Sequence, residues 1–279
     1  MFLRPGKKLT KFGKYAVISG ATDGIGKAYA FQLASQGMSL LLISRTEAKL
    51  QAVKDEILDK YGNKDIDVQL LVIDYSNFND KAKKQVKDLL QSLDVGVLIN
   101  NVGVSYRYPM YFHELSDKEV LDLIEMNINS TTWMTRFVMD QMLTKKRGAV
   151  VNISSGSAMY TLPLLAQYSA AKSYIERFTR ALHAEYSSKG IKVQCQIPFY
   201  VATKLAKMRA AFTVPTPNKY AKLGVKWIGH EDCVASPFWV HAIMGCVLDH
   251  LPTWVVTKII MNMHLATRKR GLKKDQKGK

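Results

Sequence analysis

Tyr168 and Lys172, in the run Tyr-Ser-Ala-Ala-Lys, are four residues apart. On a helix that spacing puts both on one face, so a phenol and an ammonium can flank the same point in space. A phenol ionises near pH 10 and is a poor proton donor or base at neutral pH. A cation beside it favours the phenolate, at about 1.4 kcal/mol per pKa unit. A tyrosine tuned in this way can do general acid–base work at a carbonyl or an alcohol. The same pair on a solvated helix is worth only about 0.3 kcal/mol and does no chemistry, so it needs company. Ser154-Ser155 precede it.

A second group lies near the N-terminus, where an apolar strand pattern over 15–19 runs into Gly20-Ala21-Thr22-Asp23-Gly24-Ile25-Gly26 and then into a helical pattern. Gly20 permits a sharp turn. Gly24 and Gly26 let the backbone approach a pyrophosphate and let the helix pack close to the strand, and the helix N-terminus offers unpaired N–H groups to an anion. A plain strand-to-helix turn would read the same way. The next strand ends in Ile43-Ser44-Arg45, about twenty residues on, where a site for NAD would place an acid on the ribose 2′-hydroxyl. An arginine can pair a 2′-phosphate and an aspartate would repel it, so the position favours NADP(H), unless Arg45 is simply solvated at a helix start.

The elements that must position these groups alternate. Short apolar runs at 15–19, 39–44, 68–74, 95–99, 149–154, 192–197 and 238–244 predict strands, and helix-period segments at 26–36, 47–61, 80–92, 117–144, 165–188 and 217–227 lie between them. Thr216 before Pro217 predicts a capped helix start. The pattern predicts an α/β chain with a single Rossmann-type, doubly wound parallel sheet covered by helices on both faces. Residues 15–250 make that domain, with a helix-bearing insertion at 198–230 expected to shape a substrate pocket. A basic segment, 1–14, precedes it. An apolar and then basic extension, 251–279, follows, and its lysine-rich last nine residues are expected to be disordered.

Taken together, the glycine turn, Asn100-Asn101-Val102-Gly103, Asn127, Ser155, Tyr168 and Lys172 resemble the short-chain dehydrogenase/reductase family in order and spacing over roughly residues 12–230. Ser19, Val102 and Phe199 depart from the family's usual Thr, Ala and Pro-Gly. The resemblance implies Tyr168 as catalytic acid, Ser155 as hydrogen-bond donor to the carbonyl oxygen, Lys172 as the group that lowers the tyrosine pKa and holds the nicotinamide ribose, and Asn127 as part of a proton relay. It implies NADPH held by Gly20, Thr22, Asp23, Gly24, Ile25 and Gly26, by Ser44 and Arg45, by Asp74 at adenine, by Asn101 and Gly103, by Tyr168 and Lys172, and by Thr203 at the carboxamide. No metal is implied.

Longer strings narrow the likeness: Ser-Gly-Ala-Thr-Asp-Gly-Ile-Gly-Lys from Ser19, Leu-Ile-Ser-Arg ending at Arg45, Val-Ala-Thr-Lys-Leu-Ala-Lys from Val201, and Leu-Pro-Thr-Trp from Leu251. These are similar to the very-long-chain 3-oxoacyl-CoA reductase and 17β-hydroxysteroid dehydrogenase branch of the family. That branch implies NADPH-dependent reduction of a 3-oxoacyl-CoA in fatty-acid elongation, or of a keto-steroid, by a homodimer on the cytosolic face of the endoplasmic-reticulum membrane. Its members usually carry an apolar segment ahead of the part matched. A chain natively lacking it would be soluble in the cytoplasm. A non-catalytic, membrane-associated dinucleotide-binding protein is the reading from another class.

Composition bounds the partners. The chain has 279 residues and 40 basic against 23 acidic side chains, a formal +17. The first fourteen residues carry five cations and no acid. Residues 258–279 carry eight cations against Asp275, which leaves +5 for the body between them. Charge placed at the ends suits an anionic membrane surface better than a nucleic acid, which would need a basic patch on the folded body. Trp, Val, Ile and Met at 254–265 predict a helix with an exposed apolar face, a candidate interfacial anchor. The longest uncharged stretch near the C-terminus, 234–248, is too short to span a bilayer, which takes about 20 residues. Cys195, Cys233 and Cys246 are odd in number and scattered, which argues against a disulfide framework or a zinc site.

Overall fold

The structure, a computed structural model, describes residues 5–277. Arg4 and Lys279 of the basic ends lie outside the described residues. In chain order the principal elements are β1 (Tyr15–Ser19), α1 (Gly24–Ser35), β2 (Ser39–Ser44), α2 (Glu47–Tyr61), β3 (Val68–Val72), α3 (Asp80–Ser92), β4 (Val95–Asn100), α4 (Asp117–Ile124), a π-helical turn (Glu125–Asn129), α5 (Ser130–Lys145), β5 (Gly148–Ile153), α6 (Ala166–Tyr186), β6 (Ile191–Gln196), α7 (Pro217–Trp227), β7 (Val234–Ala235), α8 (Trp239–Asp249) and α9 (Thr253–Lys277).

The strands form one parallel sheet in the order β3-β2-β1-β4-β5-β6-β7, the doubly wound arrangement expected. Strands such as Ser-Leu-Leu-Leu-Ile-Ser in β2 are apolar without alternation because both faces are covered. In β1, Ala16 and Ile18 enter the core layer shared with α1, α2 and α7, whereas Val17 enters the layer shared with α3 and α5. Full burial of one such side chain is worth about 1.5–3 kcal/mol, so β1 is held from both sides. The chain leaves β1 toward β2 and later returns on its other side as β4. That reversal opens a crevice at the carboxyl ends of the strands, where such sheets bind ligands.

Three expectations are corrected. Residues 238–244 are not a strand: β7 is two residues, and the apolar run belongs to α8. Phe238, Val240 and His241 are buried while Trp239, Ile243 and Val247 are exposed, a three-to-four-residue period that only a helix produces. A short apolar run does not separate the two possibilities, and the period emerges only when the window extends to Asp249. The expected helix over 117–144 is interrupted by the π turn, which carries Asn127. The basic tail is not disordered where described: α9 continues to Lys277, because Tyr108 donates a hydrogen bond to Asp275 at 2.6 Å and Arg107 pairs with the same carboxylate at 3.6 Å. Within the insertion, the helix begins where Thr216 and Pro217 predict, with the Thr216 hydroxyl accepting from Lys219 N at 3.2 Å.

Candidate active site

The turn after β1 needs glycine for geometric reasons. Gly20 and Gly24 have φ of +67° and +55°, the left-handed region. A Cβ on Gly26 would lie 2.3 Å from the Gly20 carbonyl oxygen. Asp23 caps α1, accepting from Gly24 N at 2.7 Å, and its other oxygen pairs with Lys204 at 2.7 Å. Although partial burial opposes it, these partners hold the Asp23 carboxyl below its ordinary pKa. Ile25 packs against the core beneath the turn. Asn101 ties the turn to β4: its Nδ2 donates to Ser19 O at 3.1 Å and to Gly20 O at 3.2 Å. Ser19 Oγ in turn accepts from the backbone of Asn101 and Val102, so the serine in place of the family's threonine is engaged.

At the ends of the neighbouring strands, Thr22 and Ser44 share a hydrogen bond at 3.0 Å. Arg45, the next residue, is exposed. Asp74 accepts from Ser76 N and Oγ, and those bonds, with the Arg45 charge nearby, hold it below its ordinary value against the effect of burial. Thr22, Ser44, Arg45 and Asp74 are thus collected around the carboxyl ends of β2 and β3. Thr203 approaches from the insertion, with its methyl 3.2 Å from where a Gly24 Cβ would lie.

Across the crevice, β5 runs into Ser154 and Ser155. Ser154 Oγ donates to Lys172 O at 2.8 Å and so fixes α6 against the strand end. Tyr168, in the first turns of α6, packs with an apolar cluster of Tyr106, Met110 and Leu123. Burial pushes its phenol above 10 and hydrogen bonding with Ser155 pulls it back. Lys172 is buried, and its Nζ donates to Ile153 O at 3.2 Å and lies 5.8 Å from the Tyr168 ring centroid. Burial pushes its pKa down to about 8. The expected lowering of Tyr168 by Lys172 is not part of this arrangement. Four-residue spacing brings the ammonium alongside the ring, while the Ile153 carbonyl holds it.

Asn127 reaches the site through the π turn, a feature frequent at functional sites. Its Nδ2 donates to Val104 O and Leu123 O, both at 3.0 Å, and leaves Oδ1 buried without a partner. A Cβ on Gly103 would lie 2.6 Å from that Oδ1 and 3.1 Å from Lys172 Nζ. An orphan acceptor and a buried donor therefore converge on one glycine. The left-handed glycines, the close approach at Gly103 and the unpartnered Asn127 Oδ1 together fit a dinucleotide lying from the glycine turn toward Tyr168.

The walls bring in residues that motif spacing does not mark. Phe199 packs on Gly156, stacks with Tyr160 at 6.2 Å and donates its backbone N–H to His241 Nδ1 at 3.3 Å. His241 Nε2 bonds Thr213 O at 3.1 Å, so one buried histidine joins the insertion, the segment after β6, and α8. Its one legible signal is a lone histidine in an apolar run. Helix α9 lies on loop 104–114, where Arg268 forks onto Glu114 at 2.6 and 2.5 Å, and on the segment before α6, where His264 bonds Pro163 O at 2.6 Å.

A family model described as short chain dehydrogenase matches residues 14–212. The very-long-chain 3-oxoacyl-CoA reductase of Homo sapiens is 41% identical over 268 residues, 95% of this chain and 84% of the relative. The inactive hydroxysteroid dehydrogenase-like protein 1 of Homo sapiens is 42% identical over 252 residues, 88% of this chain and 75% of the relative. A solved short-chain dehydrogenase from Sphingobium yanoikuyae, in complex with NADPH, superposes with a TM-score of 0.73 at 22% identity, covering 86% of this chain and 97% of that one.

Proposed function

The chain belongs to the short-chain dehydrogenase family, and from that premise we propose that it is an NADPH-dependent reductase of the 3-oxo group of long- and very-long-chain 3-oxoacyl-CoA, acting in fatty-acid elongation. The observation that carries the reading is the meeting of Ser155, Tyr168, Lys172 and the π-turn Asn127 at the crevice beside a fitting dinucleotide turn. One relative of comparable identity is named inactive, so overall similarity alone does not decide for catalysis. The presence of every group that the chemistry needs favours it.

Residues of the glycine turn with Ser44, Arg45, Asp74, Asn101, Gly103 and Thr203 would hold NADPH, with Arg45 meeting the 2′-phosphate. When bound, the cofactor supplies the hydride. The chain supplies the rest. Ser155 Oγ and the Tyr168 hydroxyl donate hydrogen bonds to the substrate's carbonyl oxygen and stabilise the charge that grows there. Tyr168 then gives that oxygen its proton, leaving an alcohol. Burial keeps the phenol protonated at neutral pH, which suits donation in the reductive direction. Lys172, lowered to about 8 by burial, stays mostly protonated at neutral pH and can return a proton toward Tyr168, with Asn127 Oδ1 as the acceptor beside it.

We locate the enzyme at the endoplasmic-reticulum membrane, on its cytosolic face, as a homodimer. Exposed Leu121, Trp133 and Tyr174 on α4, α5 and α6 support pairing of those helices. Among the described residues no helix is long and apolar enough to cross a membrane, so the described part would associate through its surface. NADPH oxidation with 3-oxoacyl-CoAs of increasing chain length, beside a 17-keto-steroid, tests the substrate. Rates rising with acyl length bear the reading out, and turnover of the steroid alone replaces it with the hydroxysteroid alternative.

A further inference from the structure

The helix that was expected to be a buried strand presents an apolar stripe to solvent. Trp239, Ile243 and Val247 recur at four-residue spacing on one side of α8, and Ile243 and Val247 are 54% and 56% exposed. The stripe extends at one end to Phe212, 74% exposed and in edge contact with the Trp239 ring at 5.9 Å. Toward the other end of the helix Leu251 and Trp254 follow, also exposed. A continuous run of this kind on an otherwise well-packed domain marks a surface that something covers.

Charge indicates what covers it. Between residues 198 and 274 the only acids are Glu231, Asp232 and Asp249, whereas Lys207, Arg209 and Lys258 are exposed in the segments leading to and from the stripe. An isologous contact with a second copy would gather two sets of these like charges around one seam. An anionic lipid surface neutralises them instead, with tryptophan and phenylalanine at the depth such rings favour.

The position of α8 gives the surface a purpose. Its inner side holds the substrate wall: His241 accepts from Phe199 N, and Gly245 O accepts from the Tyr160 hydroxyl at 3.0 Å. Phe199 in turn packs on Gly156, next to Ser155. Phe199 and α8 thus lie between the site of carbonyl reduction and the apolar stripe.

We infer that the outer face of α8, with Phe212 and Trp254, is the surface by which this protein docks on an anionic bilayer, so that the substrate cleft is held against the lipid in which a long acyl chain resides. The inference deepens the membrane association proposed above and rests on it. It assigns the contact to α8 rather than to the Ile259 and Met263 face of α9.

The test uses the full chain and co-sedimentation with phosphatidylcholine vesicles, with and without about 30 mol% phosphatidylserine. Ile243→Asp with Val247→Asp is expected to weaken binding to the anionic vesicles about tenfold or more, with the thermal midpoint, the mass in solution and NADPH oxidation against a short water-soluble 3-oxo ester unchanged. Ile259→Asp with Met263→Asp is expected to leave binding near wild type. Loss only with the α9 pair overturns the assignment to α8 and leaves membrane association standing. A wild-type chain that binds neither vesicle overturns both. A wild-type dimer that the α8 pair converts to monomer shows that a second copy covers the stripe, and also overturns the inference.

Discussion

Lys172 Nζ bonds the carbonyl oxygen of Ile153 at 3.2 Å and stands 5.8 Å from the centre of the Tyr168 ring. The lysine is therefore built into the end of β5 as much as into the helix it shares with the tyrosine. Its burial has a cost. The folded value of about 8 lies below the ordinary 10.5, so the unfolded chain binds that proton more tightly and folding is opposed at neutral pH. As pH rises through 8 toward 10.5 the folded lysine is neutral while the unfolded one is still charged, and stability climbs. Lys172→Met is expected to stabilise the protein by about 1–3 kcal/mol at pH 7, seen in the urea midpoint. The gain should shrink above pH 8, and NADPH oxidation should fall by about 100-fold. A variant less stable than wild type at pH 7 contradicts this account.

Arg45 follows β2 directly, and its charge is felt by Asp74 at the end of β3. If it meets the 2′-phosphate, Arg45→Asp weakens NADPH binding by about 1.5–3 kcal/mol and leaves NADH nearly unaffected, measured as Kd by fluorescence titration of each. Equal losses for the two cofactors would remove Arg45 from the phosphate.

Gly103 is the narrowest point between Asn127 and Lys172. A methyl group there would lie 2.6 Å from Asn127 Oδ1 and 3.1 Å from Lys172 Nζ, so Gly103→Ala must push one of them aside. An ångström of misplacement at such a site costs about 100-fold. The expected result is a fall of that order in kcat with an unchanged circular dichroism spectrum, and near-normal kcat would show that neither group matters to turnover.

The Arg268 fork on Glu114 holds α9 to loop 104–114, and the guanidinium keeps the Glu114 carboxyl below its ordinary 4.5. A lowered acid stabilises the folded contact above its unfolded value and loses it as pH falls through the folded one, so the clamp is complete at neutral pH and opens below pH 4.5. Arg268→Ala should reproduce the open state at pH 7, with faster hydrogen exchange over 266–276 and a raised KM for acyl-CoA. Exchange unchanged in that segment would mean that the helix is held by its apolar contacts alone.

What was legible in the sequence follows from how local each cause is. The glycine turn, Arg45 after β2 and the Thr216–Pro217 helix start are set by a few adjacent residues, and the structure has them where the sequence predicts. The π turn was not legible, because one extra residue in a helical ladder leaves no mark in composition, although it is what turns Asn127 Oδ1 into the site. Nor was α8, whose inward residues face the insertion and Phe199, segments distant in sequence. The Lys172 bond to Ile153 joins two elements in the same non-local way: spacing alone predicts a lowered Tyr168, whereas burial in the folded chain raises it.

Carbonyl reduction with Tyr168 as the acid is open to one decisive assay. NADPH oxidation against a long-chain 3-oxoacyl-CoA, run for wild type and Tyr168→Phe with NADPH binding titrated in parallel, tests it most directly. Wild-type turnover is expected, with a loss of about 10²–10⁴-fold in the variant and NADPH affinity within a few-fold of wild type. Turnover by Tyr168→Phe at the wild-type rate, or NADPH binding by the wild type without oxidation on any chain length, would contradict it.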